Sequence, residues 1–387
     1  MNAARVWLAG IGLLAAVSAG ANAGVSDAAI LFGQSAAFSG PAEDLGQNMR
    51  LGIQAAFREQ NERGGIHGRR LELVTLDDAY EPEAAIANTR RLIQDEGVFA
   101  LIGAVGTPTS VAAVPVATEA GVPYVAPFTG AAFLREAAGR GTHVINLRAS
   151  YDDETEAMVA HLIGDLGIER IAVMYQDDSF GRAGHAGARQ ALAKRDMAPV
   201  SVGVYPRNTT AVKTALLDVR AGEPEAVILV GAYEPVAALI AWSREIGFRP
   251  VFITISFVGS NALARELGAA GAGVFVTQVV PFPRGDEPPV VATYGRALAA
   301  LAPDSTPGFV SLEGYLAGRL AIAALDFCGR DVDRDCFMRA MRQHDSVDID
   351  GFELRYGTGD NQGSDRVFLT MIDASGGYRP ITSLAQR

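Results

Sequence analysis

The chain has 387 residues, a net charge of −11 at pH 7, 49% hydrophobic residues and 20% charged residues. Nucleic-acid phosphates require clustered lysine and arginine, so the acidic balance argues against a nucleic-acid partner. The hydrophobic content excludes a disordered or fibrous chain.

The first predicted element is a secretory signal peptide at residues 1–23. Arg5 supplies an early positive charge, an apolar stretch covers residues 6–17, and the segment ends in A-N-A, an A-x-A cleavage pattern. The stretch is shorter than the about 20 residues of a membrane span, although a retained anchor helix is the alternative. No cysteine directly follows the apolar stretch, so a lipid anchor is not indicated. We expect a soluble periplasmic protein beginning near Gly24, and loss of Arg5 shifts its net charge from −11 to −12.

The rest of the chain alternates between predicted strands and helices. The first series has strands at 29–33, 71–76, 99–103, 123–126 and 143–147, with helices at 45–62, 83–95 and 109–120. The second series has strands at 170–175, 200–205, 226–230, 251–255 and 273–280, with helices at 153–166, 184–194, 211–220 and 235–246. Continuous apolar strands separated by helices indicate parallel sheets covered on both faces. Because the rhythm repeats and about 360 residues exceed one ordinary core, we predict two doubly wound α/β lobes.

The last part of the chain has a different pattern. Four prolines between 281 and 289 mark a break, and two long helices are predicted at 290–301 and 310–326, with a shorter one around 336–343. Residues 352–356 and 367–373 are predicted to be two strands joined by a turn rich in Gly, Asn and Asp.

The two cysteines, Cys328 and Cys336, are close in sequence. In an oxidising compartment this spacing predicts a disulfide that closes a surface loop. The five histidines show no metal-ligand spacing, so we predict no metal site. Residues 33–36 follow the first strand without a dinucleotide-binding glycine pattern, and no P-loop or nucleophile elbow occurs. We therefore predict no cofactor and no enzyme activity, with a hydrolase on the same scaffold as a rival hypothesis.

Several short sequences resemble those of the leucine/isoleucine/valine-binding family of substrate-binding proteins for ABC importers. The most specific is G-G-I-x-G at residues 64–68, which follows a predicted helix. The others are N-E-R at 61–63, D-D at 77–78, P-E-A-A at 82–85, L-I-G at 101–103, F-G at 180–181, G-A-Y at 231–233 and A-G-A-G-V at 270–274. Together they cover nearly the whole mature chain in order.

This resemblance implies a type I periplasmic-binding fold, in which three crossovers join two lobes. Lobe 1 would contain residues 24–148 plus 281–348, and lobe 2 residues 149–280 plus 349–387. A ligand in the cleft between the lobes would close the hinge by contacting both.

The first candidate ligand-binding residues are Thr107, Thr109 and Ser110. They follow a predicted strand and open a helix, where hydroxyls and free backbone N–H groups suit a carboxylate or carbonyl. The alternative is that Thr107 and Ser110 only cap the helix.

A second group, Phe128, Thr129 and Gly130, follows the next strand at the same level of the sheet. The family's amino-acid binders have a hydroxyl where Gly130 stands, so Thr129 either replaces it or the polar contact is lost. Phe128 is either a wall of the cleft or ordinary core.

On the second lobe, Tyr151 and Asp153 open a helix after the crossover. Asp153 matches a family position near the ligand's ammonium group, and a helix-capping acid is the alternative.

Four further candidates belong to the predicted second lobe. Phe180 stands where the family usually has tyrosine, and Tyr233 matches a family aromatic residue. Ser256 and Phe257 stand where the family's amino-acid binders place a glutamate that pairs with the ammonium. Because a buried ammonium without a carboxylate is costly, the resemblance implies an aromatic, weakly charged cleft.

We therefore predict a monomeric periplasmic solute-binding protein that delivers a small amino-acid-like or amphipathic ligand to a membrane permease, most simply an ABC importer. The alternative is a carrier or sensor of an apolar ligand, such as an aromatic acid, a lipid or a sterol, that serves another system.

Overall fold

A computed structural model describes residues 23–136, 143–342, 346–357 and 359–386. The predicted signal peptide lies outside the described residues except for its last position. Within those ranges, no helix combines the length and apolar character needed to cross a membrane.

The first lobe is built on a parallel sheet. Its described strands are β1 (Ala29–Ala36), β2 (Arg70–Asp77), β3 (Ala100–Ile102), β4 (Tyr124–Val125) and β5 (Val144–Ile145). They are arranged β2-β1-β3-β4-β5, and β1 pairs with β2 along its whole length. In β3, Ala100 and Ile102 pack in one apolar cluster and Leu101 in another, so both faces of the sheet are covered.

The second lobe repeats this arrangement and extends it. Its described strands are β6 (Ile171–Gln176), β7 (Val202–Tyr205), β8 (Ala226–Val230), β9 (Val251–Thr254), β10 (Phe275–Gln278), β13 (Phe368–Ile372) and β14 (Tyr378–Ile381). Between β10 and β13, β11 (Val347–Ile349) and β12 (Phe352–Leu354) form a separate two-stranded sheet. The sheet order is β14-β13-β10-β9-β8-β6-β7. β6 to β10 are parallel, whereas β13 runs antiparallel to both β10 and β14. The prediction of two doubly wound lobes is confirmed.

Helices surround both sheets. Those described are α1 (Glu43–Glu62), α2 (Pro82–Gln94), α3 (Thr107–Glu119), α4 (Phe133–Glu136), α5 (Tyr151–Leu166), α6 (Ser179–Ala193), α7 (Lys213–Ala221), α8 (Tyr233–Glu245), α9 (Ser260–Leu267), α10 (Pro289–Leu301), α11 (Phe309–Cys328) and α12 (Arg334–Arg342). The sequence pattern missed α4 and α9, which are too short to show a clear helical period.

Glycines let α1 and α11 pack with their backbones in contact. A Cβ at Gly52 would lie 2.0 Å from the Ser311 carbonyl oxygen, and one at Gly314 would lie 2.3 Å from that of Met49. No side chain fits at either position without moving a helix. This contact holds the segment around α11 against the first lobe.

The C-terminal strands pair differently from the sequence prediction. The predicted pairing of residues 352–356 with 367–373 is wrong, because β12 pairs with β11 and β13 pairs with β10 and β14. Within the Gly/Asn/Asp-rich segment between them, Gly357 and Asp360 exchange backbone hydrogen bonds, but the segment does not join the two strands as a hairpin. It returns to the first lobe, where the Asn146 N–H donates to the Asn361 carbonyl (2.8 Å) and the Gly363 N–H donates to the Asn146 carbonyl (2.9 Å).

The position of this segment changes where the boundary between the lobes is drawn. The predicted boundary after Asp348 falls inside the β11–β12 hairpin. Since the chain stays beside β5 as far as Gly363, we propose that the third crossover to the second lobe follows Gly363.

A disulfide joins Cys328, at the end of α11, to Cys336 in α12, with the two Cα atoms 5.9 Å apart. It closes the short connection between the two helices, as the sequence predicts.

Candidate ligand-binding site between the lobes

Residues that follow strands of both sheets meet between the lobes. Phe128 follows β4 and Phe257 follows β9, and their ring centroids are 5.3 Å apart. Tyr80 follows β2, with its ring centroid 6.2 Å from that of Phe257. In open α/β sheets, ligands bind at the carboxyl ends of the strands, so this cleft is the candidate site.

Five rings form what we call the aromatic cluster: Tyr80 and Phe128 from the first lobe, and Tyr151, Phe180 and Phe257 from the second. Phe180 lies 4.4 Å from Phe257 and 5.6 Å from Tyr151 between ring centroids. All five side chains are buried. The structure therefore brings together four of the five predicted rings, leaves Tyr233 outside the cluster, and adds Tyr80, which the sequence did not suggest.

A turn after β2 positions Tyr80. Asp78 accepts hydrogen bonds from the Ser35 hydroxyl (2.7 Å) and the Tyr80 N–H (2.9 Å). Burial raises the pKa of Asp78 to about 6, although these hydrogen bonds oppose the rise. Ala79 and Tyr80 have φ angles of 48° and 65°, an uncommon left-handed conformation that turns the ring toward the other lobe.

Three hydroxyls meet beside the cluster. Those of Thr107 and Thr129 hydrogen-bond each other at 2.7 Å. They lie near the Tyr151 hydroxyl, which is buried without a hydrogen-bond partner of its own. Burial raises the pKa of Tyr151, and nearby Arg148 opposes that effect. The structure thus places Thr107 and Thr129, two of the predicted ligand-binding residues, in one polar patch.

The other hydroxyls of α3 point elsewhere. Thr109 donates to the Val105 and Gly106 carbonyls at 2.5 and 3.1 Å. Ser110 accepts a hydrogen bond from the Tyr124 hydroxyl (3.2 Å) within the core. The start of α3 has no side-chain cap, so the capping alternative does not describe these residues.

Gly130 leaves no room for the hydroxyl that the family's amino-acid binders carry there. A Cβ at this position would lie 2.5 Å from Tyr151 Cδ1 and 2.7 Å from the Tyr151 backbone nitrogen. The ring of Tyr151 occupies the space instead.

A buried charge network lies next to the cluster and consists of Arg148, Glu154, Ser256, Thr277 and Glu313. Glu154 accepts hydrogen bonds from the Ser256 N–H (2.7 Å), the Ser256 hydroxyl (2.9 Å) and the Thr277 hydroxyl (2.6 Å). Arg148 donates to the Ser256 hydroxyl and lies 3.5 Å from Glu154 and 3.7 Å from Glu313. Its guanidinium is 4.6 Å from the Phe128 ring centroid. The network therefore joins the crossover to both lobes.

Burial is the largest influence on the pKa values of Glu313 and Glu154. It raises the pKa of Glu313 to about 7, against the attraction of Arg148, while Glu154 adds to the rise. Burial also raises the pKa of Glu154, which Arg148 and the hydrogen bonds oppose.

Sequence reasoning missed Arg148, Glu154 and Glu313, although a signal was present. Glu154 falls on the buried face of α5, and Glu313 interrupts a long apolar stretch of α11. Acids at such positions are seldom buried unless paired. Glu154 thus supplies the carboxylate that is lacking at Ser256. Both of its carboxylate oxygens already accept hydrogen bonds from the protein.

Asp153 takes the alternative role considered for it. It forms a capping box with Ser150, accepting from the Ser150 N–H (2.9 Å) and hydroxyl (2.6 Å), and it also accepts from Gln362 (3.0 Å). Its contacts fix the start of α5.

Contacts at the rim hold the lobes together. Glu81 of the first lobe accepts hydrogen bonds from Arg207 and Asn208 of the second, each at 2.7 Å. The hydroxyl of Tyr233 lies against the Asp44 backbone, and burial raises its pKa to about 12. The cavity behind this rim measures about 10 Å³, roughly the room for one water molecule. The described cleft is closed, so a larger ligand enters only when the lobes or rings move.

The model of the family described as "Periplasmic binding protein" matches residues 29–377. The chain belongs to this family. The family consists of solute-binding proteins rather than enzymes, and it places the protein outside the cytoplasm.

Similar proteins agree with the predicted resemblance. A solved structure of a possible leucine/isoleucine/valine-binding protein from Rhodopirellula baltica SH 1 is 38% identical, with a TM-score of 0.87 over 92% of this chain and 97% of that one. Leu/Ile/Val-binding protein homolog 7 of Brucella abortus (strain 2308) is 29% identical over 67% of this chain and 66% of its own length. The match thus spans just under two thirds of that relative. A fatty acid ABC transporter substrate-binding protein from Thermomonospora curvata shares the fold, with 19% identity, a TM-score of 0.81, and coverage of 95% and 96% of the two chains.

Proposed function

We propose that this periplasmic binding protein captures a small organic ligand between its lobes, acts as a monomer in the periplasm after signal-peptide removal, and delivers the ligand to a membrane transporter. The observation that carries the proposal is the aromatic cluster, to which each lobe contributes buried rings. The proposed ligand-lining residues are Tyr80, Thr107, Phe128, Thr129, Gly130, Tyr151, Phe180, Tyr233, Ser256 and Phe257.

The arrangement supports capture by hinge closure. A ligand that touches Phe128 and Phe257 contacts both lobes at once and therefore favours the closed state over the open one. The Glu81 contacts to Arg207 and Asn208 exist only when the lobes are together, so they add to closure without touching the ligand.

An ABC importer is the proposed recipient of the ligand. Relatives named as Leu/Ile/Val-binding homologues and as an ABC transporter substrate-binding protein support this assignment. The second candidate is a carrier of an apolar ligand for another system, which the predominance of aromatic side chains in the cleft favours.

Native mass spectrometry of the mature protein isolated from its own host tests capture. We expect one small organic molecule per chain, released on denaturation. Phe257→Leu should lose most of this molecule, whereas the matched Phe252→Leu should keep it, because Phe252 packs in the cluster on the other face of the sheet. A bare chain, or equal retention by both variants, would contradict the proposal.

The transporter assignment has its own test. Deleting the gene in the host should reduce uptake of the molecule found by mass spectrometry, and the same loss should follow deletion of an ABC permease. Uptake that depends on this protein but on no ABC permease would favour the second candidate.

A further inference from the structure

The acids beside the aromatic cluster are already paired within the protein: Glu313 lies 3.7 Å from Arg148, and the others accept hydrogen bonds. Glu154 accepts three hydrogen bonds from Ser256 and Thr277 and lies beside Arg148. Asp178, two residues before Phe180, accepts from the Gln176 side chain (2.6 Å) and the Gly181 N–H (3.0 Å).

Asp153 is engaged in the same way, through Ser150 and Gln362. A ligand ammonium would therefore have to displace hydrogen bonds that hold α5, α6 or the charge network in place. Burying an ammonium without such a partner is costly.

The unpartnered groups at the cluster are of the opposite kind. The hydroxyls of Tyr80 and Tyr151 and the Nη1 atom of Arg148 are buried without a partner in hydrogen-bond geometry. Arg148 Nε faces Glu313 at 3.7 Å, and the Tyr151 hydroxyl has Thr107 and Thr129 as its polar neighbours. A guanidinium only donates, and a tyrosine hydroxyl is a donor as well as an acceptor. Buried donors of this kind are normally satisfied, so each one favours a ligand that brings an acceptor.

These donors are close to one another. The guanidinium of Arg148 lies 4.6 Å from the Phe128 ring centroid. The rings of Phe128 and Tyr80 both contact Phe257, and Phe257 contacts Phe180, whose ring is 5.6 Å from that of Tyr151. The Thr107 and Thr129 hydroxyls adjoin Tyr151. A single oxygen-bearing group on a ligand can therefore meet several donors while its apolar body lies against the rings.

We propose that the cleft selects an aromatic or apolar molecule that carries a carbonyl or carboxylate oxygen and no ammonium group, with Tyr151 and Arg148 as the donors that recognise the oxygen. This inference rests on the proposed function, because it names the ligand class of the same cleft. It separates the protein's ligand from free amino acids such as leucine.

Four probes with one phenyl body test the proposal: 3-phenylpropanamide, 3-phenylpropanoate, phenylalanine and phenethylamine, each titrated calorimetrically into ligand-free mature protein. We expect the amide or the acid to bind at least about ten-fold more tightly than phenylalanine, and phenethylamine to bind most weakly. The amide and acid arms distinguish a neutral acceptor from an anion. Phenylalanine as the tightest ligand would overturn the inference.

Tyr151→Phe is the sharpest variant, since it removes only a hydroxyl that has no hydrogen-bond partner. We expect the affinity for the better oxygen probe to fall about two- to ten-fold while the unfolding midpoint in urea does not fall. Tyr356→Phe is the matched control, because Tyr356 also has a buried, unpartnered hydroxyl but lies after β12, away from the cluster. It should leave probe affinity unchanged. Equal affinity for the wild-type protein and Tyr151→Phe would overturn the assigned role.

Failure of this inference is distinguishable from failure of the proposed function. If mass spectrometry finds a retained amino acid, or if no probe binds although some ligand is retained, the ligand class is wrong and capture stands. If no molecule is retained and no probe binds, both proposals are refuted.

Discussion

Replacing Glu313 with glutamine should change how the stability of the protein depends on pH. Glu313 is 3% exposed on α11, and its nearest charged partner is Arg148 at 3.7 Å. Glutamine keeps the size of the side chain and removes its ability to ionise. The variant therefore isolates the free energy of burying this one carboxylate.

The size and sign of the effect follow from the shift in pKa. Burial raises the pKa of Glu313 from 4.5 to about 7, so the folded protein retains a proton that the unfolded chain loses at lower pH. The resulting stabilisation is complete below pH 4.5 and is lost as the pH rises through 7. At about 1.4 kcal/mol per pH unit, the shift corresponds to roughly 3 kcal/mol, of which about 2–3 kcal/mol falls between pH 5 and pH 8.

Urea unfolding of the wild-type protein and Glu313→Gln at pH 5 and pH 8 measures this difference. The free energy of unfolding of the variant, relative to wild type, should increase by about 2–3 kcal/mol from pH 5 to pH 8. Glu119→Gln, an exposed position on α3, is the matched control and should show no such change. A relative stability of Glu313→Gln that is the same at both pH values would refute the reasoning.

Three further changes test other parts of the structure. Cys328 and Cys336 should resist alkylation until a reductant is added, and replacing both with serine should lower the free energy of unfolding by about 2–3 kcal/mol; free labelling of the native protein would contradict this. Glu81→Gln should weaken probe binding by up to about five-fold and enlarge the radius of gyration of the bound form, because it weakens the rim contacts; an unchanged affinity would show that the rim does not contribute. Gly130→Ala should cost about 1–3 kcal/mol in urea unfolding because its Cβ meets Tyr151, and wild-type stability would contradict that reasoning.

Much of the fold could be predicted because the parallel strands carry local signals. β8 is five consecutive buried apolar residues, and such runs between amphipathic helices indicate a covered parallel sheet. The C-terminal pairing was missed although a local signal was present. β11 and β12 form a hairpin whose two turn residues, Asp350 and Gly351, both have positive φ, and Asp-Gly is typical of such two-residue turns. The contacts of Asn146 with Asn361 and Gly363 join residues that are far apart in sequence, and they had no such signal.

The parts of the site that directly follow strands could be predicted from the sequence. Phe128 and Phe257 follow strands whose carboxyl ends face each other, so their positions along the strands are enough to predict that the two rings lie close together. The charge network depends instead on residues that are far apart in sequence. Arg148 and Glu154 lie in one segment, whereas Ser256, Thr277 and Glu313 come from three others. Tyr80 was missed because its position depends on a left-handed turn that the residue types alone do not require.

Small-angle X-ray scattering of the ligand-free mature protein, before and after saturation with whichever phenyl probe binds most tightly, tests capture between the lobes most directly. Because the ligand contacts both lobes, the radius of gyration should decrease on binding, and it should decrease less in Glu81→Gln. An unchanged radius, with binding of the same sample shown by calorimetry, would contradict closure and indicate a ligand held by one lobe alone.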